Sequence, residues 1–264
     1  MSVPGVSGGT MAILLGIYDK LIGAISNFHK NIKANALYLG KFTAAVGLGI
    51  GSLAFVLKWL LETFTIPVSA FFVGAVFGGI PALYQKTKIK PFSIVSVLYF
   101  LLGFGVVLAT SYLPAGNMDL GGGIGIYNIF MIFVTGLVIA IALILPGIST
   151  SHMLLVLGMY DDLLGAITNF NITFLAVISI STAVGVFLIT KPIEWTLRKF
   201  PHQTYYAIIG FVVGSISAII RGLVLPAIPE VISLGWWAMM APIAIVTFAM
   251  GYWAILSLSK FSNE

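Results

Sequence analysis

Cysteine is absent from the sequence, which removes disulfides, thiolate chemistry and cysteine-ligated metal sites from consideration while leaving the compartment open. Charge is almost as scarce. Lysine, arginine, aspartate and glutamate together make up 8% of the 264 residues, about a third of what soluble domains carry. A soluble domain of this size needs polar side chains over most of its exterior, and none can be assembled here. The 13 basic and 8 acidic residues lie in short stretches between long apolar runs. No basic surface interleaved with aromatics exists, which excludes nucleic acid and leaves anionic lipid headgroups as the partner for a net charge of +5. A basic segment is also missing after Met1, where Ser-Val-Pro-Gly follows, so no cleavable signal peptide is expected.

What is present is hydrophobicity: 59% of the residues are apolar and the mean hydropathy is +1.10. A bilayer core of about 30 Å takes roughly 20 apolar residues in a helix. Six runs reach that length, over 37–61, 66–84, 92–113, 171–191, 204–225 and 235–258, and they predict an all-α, polytopic membrane protein. Trp59, Trp236, Trp237 and Trp253 suit interface anchors. Two other apolar stretches, 4–28 and 125–170, are each interrupted by a Pro-Gly pair followed by small hydroxyl and glycine residues. Such breaks predict re-entrant or discontinuous segments, whose irregular backbone is tolerated at membrane depth only inside protein or along a wet cavity.

Basic residues set the expected orientation. Lys86, Lys88 and Lys90 mark one cytoplasmic loop, and Lys191, Arg198 and Lys199 mark another. The loop 114–123 carries Asp119 and no basic residue, so it is expected outside, and the same count puts 161–170 outside. The stretch 19–35, with Lys20, Lys30 and Lys33, and the C-terminus with Lys260 are expected inside.

The chain also repeats itself. Pro4 to Phe28 aligns without a gap on Pro146 to Phe170, at an offset of 142, with 14 identities in 25 positions. Weaker similarity continues from Thr43 and Thr182 to the glycine-bearing spans around Gly74 and Gly214. Each half, 1–113 and 114–264, then holds one broken segment and three spans. An odd number of crossings turns the second copy upside down, in agreement with the charge count. Inverted repeats are common in secondary transporters, with the binding site at the midplane where interrupted helices meet.

After the helix breaks at Pro4-Gly5 and Pro146-Gly147 come Ser7, Gly8, Gly9 and Thr10 in one half and Ser149, Thr150, Ser151 and His152 in the other. Free amides at a helix start, hydroxyls and close backbone approach at glycine suit a phosphate or carboxylate. Small residues after Pro-Gly also serve as a kink with tight helix packing, and the duplication of the hydroxyl run favours the anion site. Burying an anion needs a cation as well. Arg221 and Lys41, with Lys58, lie within or at the edges of spans. Arg221 is near enough to a span end to serve only as an interface anchor. Asp19 and Asp161, equivalent in the repeat, are candidates for coupling or for simple helix-end hydrogen bonding. The glycine run 121–125 lacks the strand and helix of a nucleotide loop and reads as an external connection. Nothing in the pattern calls for a metal or a cofactor.

The doubled Pro-Gly-x-Ser motif with its Gly-x-Tyr-Asp tail, at Pro4 to Asp19 and Pro146 to Asp161, resembles a family of bacterial membrane proteins, the polyprenyl-phosphate transporters. The resemblance covers essentially the whole chain. It implies movement of undecaprenyl phosphate, a carrier lipid of cell-wall synthesis, from the outer to the cytoplasmic leaflet of the plasma membrane. It also implies a phosphate cradle at Ser7 to Thr10 and Ser149 to His152. Members of that family usually carry an apolar arm before the first Pro-Gly, equivalent to 130–145 before the second, whereas here Met1 stands three residues before Pro4. The second motif reads Ser-Thr-Ser-His where a Ser-Gly-Ser type run is commoner.

Two other functions compete. A polyprenyl-diphosphate phosphatase would want an arginine inside the motif and nearby carboxylates, and 146–152 contains neither, nor does any Glu-x-x-x-Glu pair occur. A transporter of a small soluble anion would use the same anion site.

Overall fold

In lipid a chain must satisfy its own backbone, and the helix is the open-chain structure that does so. The computed structural model describes residues 8–87, 93–116, 125–229 and 234–261, and among them every regular element is helical. Two short helices, α1 (Gly8–Leu14) and α2 (Tyr18–Ser26), precede three long ones, α3 (Ile32–Thr63), α4 (Thr65–Lys86) and α5 (Ile94–Ser111). The second half begins with a long helix, α6 (Ile126–Ile144), and repeats the order with α7 (Thr150–Val156), α8 (Tyr160–Thr168), α9 (Ile172–Lys199) and α10 (Pro201–Ile219). A π turn (Ile220–Val224) and a short α11 (Leu225–Ala227) extend α10, and α12 (Leu234–Phe261) follows.

Seven segments are long and apolar enough to cross a bilayer, within α3, α4, α5, α6, α9, α10 with α11, and α12, which makes the chain a multi-pass membrane protein. One of the seven departs from expectation. The stretch 125–170, read as a single interrupted segment, contains a full 19-residue helix before Pro146 and two short helices after it. The apolar residues ahead of that proline suffice for a crossing of their own.

Helix ends follow local chemistry. Asn31 and Asn171 occupy corresponding N-caps, where their side chains accept the amides of Ala34 (3.3 Å) and Phe174 (3.2 Å). Ser93 caps α5 in the same way. The identical bounds of α1 with α7 and of α2 with α8 under the 142 offset trace to a pair of glycines. Gly16 (φ +72°) and Gly158 (φ +68°) take the left-handed conformation that L side chains resist. Their amides bond to Ile13 and Leu155, and the next amides, of Ile17 and Met159, bond to Ala12 and Leu154. This paired closure ends a helix and lets the chain turn, by 119° between α1 and α2.

Tight packing is made by glycine. Helix α4 lies along α12 and helix α5 along α10. In the first pair Gly74 and Gly78 face the carbonyl oxygens of Phe248 and Tyr252, while Gly251 faces that of Phe71. In the second, Gly210 faces the carbonyl of Phe100, Gly214 sits on Val107, and Gly103 faces the carbonyl of Ala207. These are the same contacts made twice. Gly74, Gly78 and Phe71 map onto Gly210, Gly214 and Ala207 at an offset of 136, and Phe100, Gly103 and Phe104 map onto Phe248, Gly251 and Tyr252 at 148. Gly74 is therefore matched by Gly210 rather than by Gly214. Where lipid removes the usual hydrophobic drive between helices, such backbone approach supplies the dispersion contacts that hold them. Helix α6 packs on α9, whereas α3 leaves Leu48, Leu53 and Phe55 exposed, as suits a lipid-facing span.

Two glycines of α5 separate packing from helix propensity. A Cβ on Gly103 collides with backbone, whereas a Cβ on Gly105 meets nothing within 4 Å. Gly103→Val is expected to destabilise by about 1–3 kcal/mol, read as a melting temperature lowered by several degrees in detergent. Gly105→Val should melt close to the unaltered protein.

Candidate functional site

The helix that follows the first break meets the second break inside the protein. Thr10 is fully buried, and its hydroxyl accepts the amide N–H of Gly147 at 2.8 Å. A Cβ on Gly9 would stand 3.1 Å from the carbonyl oxygen of Ile144 and 3.5 Å from the nitrogen of Pro146, so only glycine fits without a shift. Tyr18 donates its hydroxyl to the same Ile144 carbonyl at 3.1 Å. On its other side Gly147, at φ +81°, lies against the carbonyl of Phe211 and the side chain of Val107. Pro146-Gly147 is thus a wedge between α1 on one side and α5 and α10 on the other, with protein groups facing backbone that the proline left out of a helix.

Past the wedge lies a cavity of about 410 Å³. Ser149, Ser151 and His152 line it from the start of α7, Thr110 and Ser111 from the end of α5, and Arg221 from the π turn. Ser149 caps α7 by accepting the amide of His152 at 3.3 Å. His152 Nε2 is 2.9 Å from the carbonyl oxygen of Thr110. A carbonyl only accepts, so Nε2 carries a proton there. The Arg221 guanidinium carbon stands 3.6 Å from the centre of the Tyr112 ring, and Nη1 donates to the Ser111 carbonyl at 3.1 Å. Stacking and one hydrogen bond hold the guanidinium at the cavity wall. The π turn widens the helix at this residue, a distortion that recurs at functional sites. Among the described residues no carboxylate lines the cavity, and a lining of hydroxyls and one cation suits an anion.

The expected site residues divide accordingly. Ser149, Ser151, His152 and Arg221 come together. Thr150 begins α7 next to them without lining the cavity, and Gly8, Gly9 and Thr10 begin α1, where Gly9 and Thr10 are taken up by contact with the second break. Pro4, Gly5 and Ser7 lie outside the described residues. Lys41 is exposed on α3 and Asp161 is exposed at the start of α8, neither of them lining the cavity. Both short helices, at seven residues, are too brief to supply much dipole, so the guanidinium and hydroxyls carry more of the electrostatics than the sequence argument assigned them.

At the other end of α10 the arrangement is closed. Asp19 Oδ2 accepts from the Lys86 ammonium at 2.7 Å and from the Tyr205 hydroxyl at 2.6 Å. Nearby, His202 bridges the Thr87 carbonyl (3.0 Å) and Ser96 Oγ (2.9 Å), while Ser26 and Asn27 donate to Glu194, which also pairs with Arg198. These bonds tie α2, α4 and α5 to α9 and α10. Tyr205 and Arg221 are about 24 Å apart along the helix axis at 1.5 Å per residue. Lys86, Tyr205 and the Thr110 to Tyr112 wall escaped the sequence argument, because each sits at the end of an otherwise ordinary apolar run.

The family model described as VCA0040-like, undecaprenyl phosphate translocase-like, matches residues 1–225. A protein of Staphylococcus aureus named polyprenyl-phosphate transporter is 31% identical over 272 residues, spanning 99% of this chain and 92% of that protein. A Vibrio cholerae protein of the same name is 28% identical over 231 residues, spanning 82% of this chain and 72% of its own length. No solved structure matches the chain significantly.

The junction of the breaks is open to a direct check. Thr10→Val keeps the shape but leaves the buried Gly147 amide without its acceptor, and the expected loss is about 1–3 kcal/mol. Thermal unfolding in detergent should show it, while Thr10→Ser should melt near the unaltered protein.

Proposed function

The chain belongs to the undecaprenyl phosphate translocase-like family, and on that premise we propose that it moves undecaprenyl phosphate from the outer to the cytoplasmic leaflet of the bacterial plasma membrane. The observation that carries this reading is the Arg221 cavity, where a guanidinium, four hydroxyl side chains and a histidine stand together with no acid among the described residues that line it. A long prenyl tail gains about 0.8 kcal/mol for every CH₂ kept in hydrocarbon, so it stays in lipid throughout. Only the headgroup needs a route. Hydrogen bonds and charge at the cavity offset part of the cost of removing a phosphate from water.

The halves 1–113 and 114–264 act as inverted repeats on this reading, with α1–α2 and the run from α6 through α8 as re-entrant segments that come together at the midplane. The duplicated glycine contacts of α4 with α12 and α5 with α10 support that arrangement. So does the sorting of charge. Lys86 and Arg198, with the Asp19 and Glu194 bridges, gather at the end of α10 opposite Arg221, which makes the closed end cytoplasmic and the cavity outward-facing. The C-terminus is cytoplasmic in the same scheme. Alternating access then requires the Asp19 and Glu194 bridges to part while the Arg221 cavity closes. A hydrolase finds no carboxylate among the described residues of the cavity to position water or a metal, and a soluble anion leaves the family's lipid specificity unexplained.

Vesicles containing the protein and undecaprenyl phosphate test the assignment through protection of the lipid from an added, membrane-impermeant phosphatase. Arg221→Ala and Ser149→Leu are each expected to slow protection by about tenfold or more, the weight of one charge-assisted hydrogen bond. Rates equal to the unaltered protein would overturn the assignment of the site. The cysteine-free background suits labelling: single cysteines at Lys33 and Thr168 should react with impermeant reagents from opposite faces, and reaction of both from one face would end the inverted arrangement.

A further inference from the structure

The outward cavity has a counterpart that the present conformation keeps shut. The offset of 142 for the broken segments carries Ser149 and His152 onto Ser7 and Thr10, and the offset of 148 between α5 and α12 carries Ser111 onto Ser259. The offset of 136 between α4 and α10 carries Arg221 onto Gln85 and its cavity neighbour Gly222 onto Lys86. Two of the four lining hydroxyls recur in the sequence, at Ser259 and at Ser7, which lies outside the described residues, while Ser151 and Thr110 fall on Gly9 and Leu258; the cation moves by one position. We infer that Lys86 is the cation that receives the phosphate headgroup on the cytoplasmic side, a role that rests on the transport reading above and deepens it.

The two ends differ as one conformation of such a carrier should. Arg221, where the cavity is open, has no carboxylate within ion-pair distance among the described residues and rests on a ring and a carbonyl. Lys86, where it is shut, is held by Asp19 at 2.7 Å and lies 5.7 Å from the centre of the Tyr205 ring. That ion pair is incomplete. Both partners of Asp19 use Oδ2, and Oδ1 is buried without a hydrogen bond. An ammonium so held exchanges one anion for another when the headgroup arrives, instead of being stripped of a fully satisfied partner. Thr10, the counterpart of His152, is likewise occupied, by the Gly147 amide.

The choice of cation fits the direction of travel. Arginine presents a planar fork that grips a phosphate through two donors, whereas lysine is a flexible, strongly hydrated point charge. Capture outside is therefore geometrically specific, and the hold inside is looser, which favours release to the cytoplasmic leaflet.

The test uses the full chain in vesicles with undecaprenyl phosphate, scored by protection from external phosphatase, and in detergent, scored by the rise in melting temperature that the same lipid produces at the outward cavity. Lys86→Gln should slow protection by about tenfold or more while leaving the melting shift in place. Asp19→Asn, which keeps the cation at the position, should stay within about threefold of the unaltered protein, and Lys86→Arg, which keeps a cation with a tighter grip, should fall between the unaltered protein and Lys86→Gln. Protection at the full rate in Lys86→Gln would overturn the inference. So would an Asp19→Asn variant as slow as Lys86→Gln, since Lys86 would then be only half of a latch. If Lys86→Gln does not fold, the pair Lys86→Met with Asp19→Asn removes both charges and should show the same loss. An unaltered protein that protects no lipid would remove the transport reading itself, an outcome distinct from any effect confined to Lys86.

Discussion

Backbone that leaves a helix inside a membrane protein has to find its partners in protein, and the Pro146-Gly147 break finds them in the short helices that follow the first Pro-Gly step. The Thr10 hydroxyl meets the Gly147 amide, Gly9 lies against the carbonyls at the end of α6, and Tyr18 reaches the same place. Remove that junction and the buried Gly147 amide is left without its acceptor. The glycines at 16 and 158, left-handed at the ends of α1 and α7, turn the chain so that the junction can form. The cavity is a by-product of the same wedge: where Pro146-Gly147 holds α7 away from α5 and α10, space remains between hydroxyls and Arg221.

The two ends of α10 differ in their polar groups. One shows a guanidinium stacked on Tyr112 beside open volume, and the other shows an ammonium tied to an acid that also accepts from a phenol. The glycine contacts of α4 with α12 duplicate those of α5 with α10. The asymmetry resides in a handful of polar side chains laid over a nearly repeated frame.

Much of this was legible in the residues. Long apolar runs named the spans, the Pro-Gly steps named the breaks, and the gapless match of Pro4–Phe28 to Pro146–Phe170 named the repeat. The candidate site was legible only in part. Residue type and position single out Ser149, Ser151, His152 and Arg221, which line one cavity, and equally Thr10, whose hydroxyl here accepts the Gly147 amide, because a hydroxyl near a break serves either purpose. The sequence left the register of α4 on α10 open, since glycines four apart in each helix align almost as well either way until the carbonyls they face are known. The Asp19 to Lys86 bridge spans 67 positions and the contact with Tyr205 spans 186, distances over which periodicity carries no information.

The interlocked glycine pairs bear on how the chain is made. Each pair takes one helix from each half, so α5 has no groove to fill until Gly210 emerges, and α4 none until Phe248 does. At about 5 to 20 residues per second, α5 spends several seconds in the bilayer with a bare carbonyl ridge and only lipid beside it. Assembly is therefore deferred to the last helix, and a ribosome that stalls before residue 234 leaves a chain whose early spans are inserted but unmatched, the kind of orphan that membrane proteases and insertases recognise.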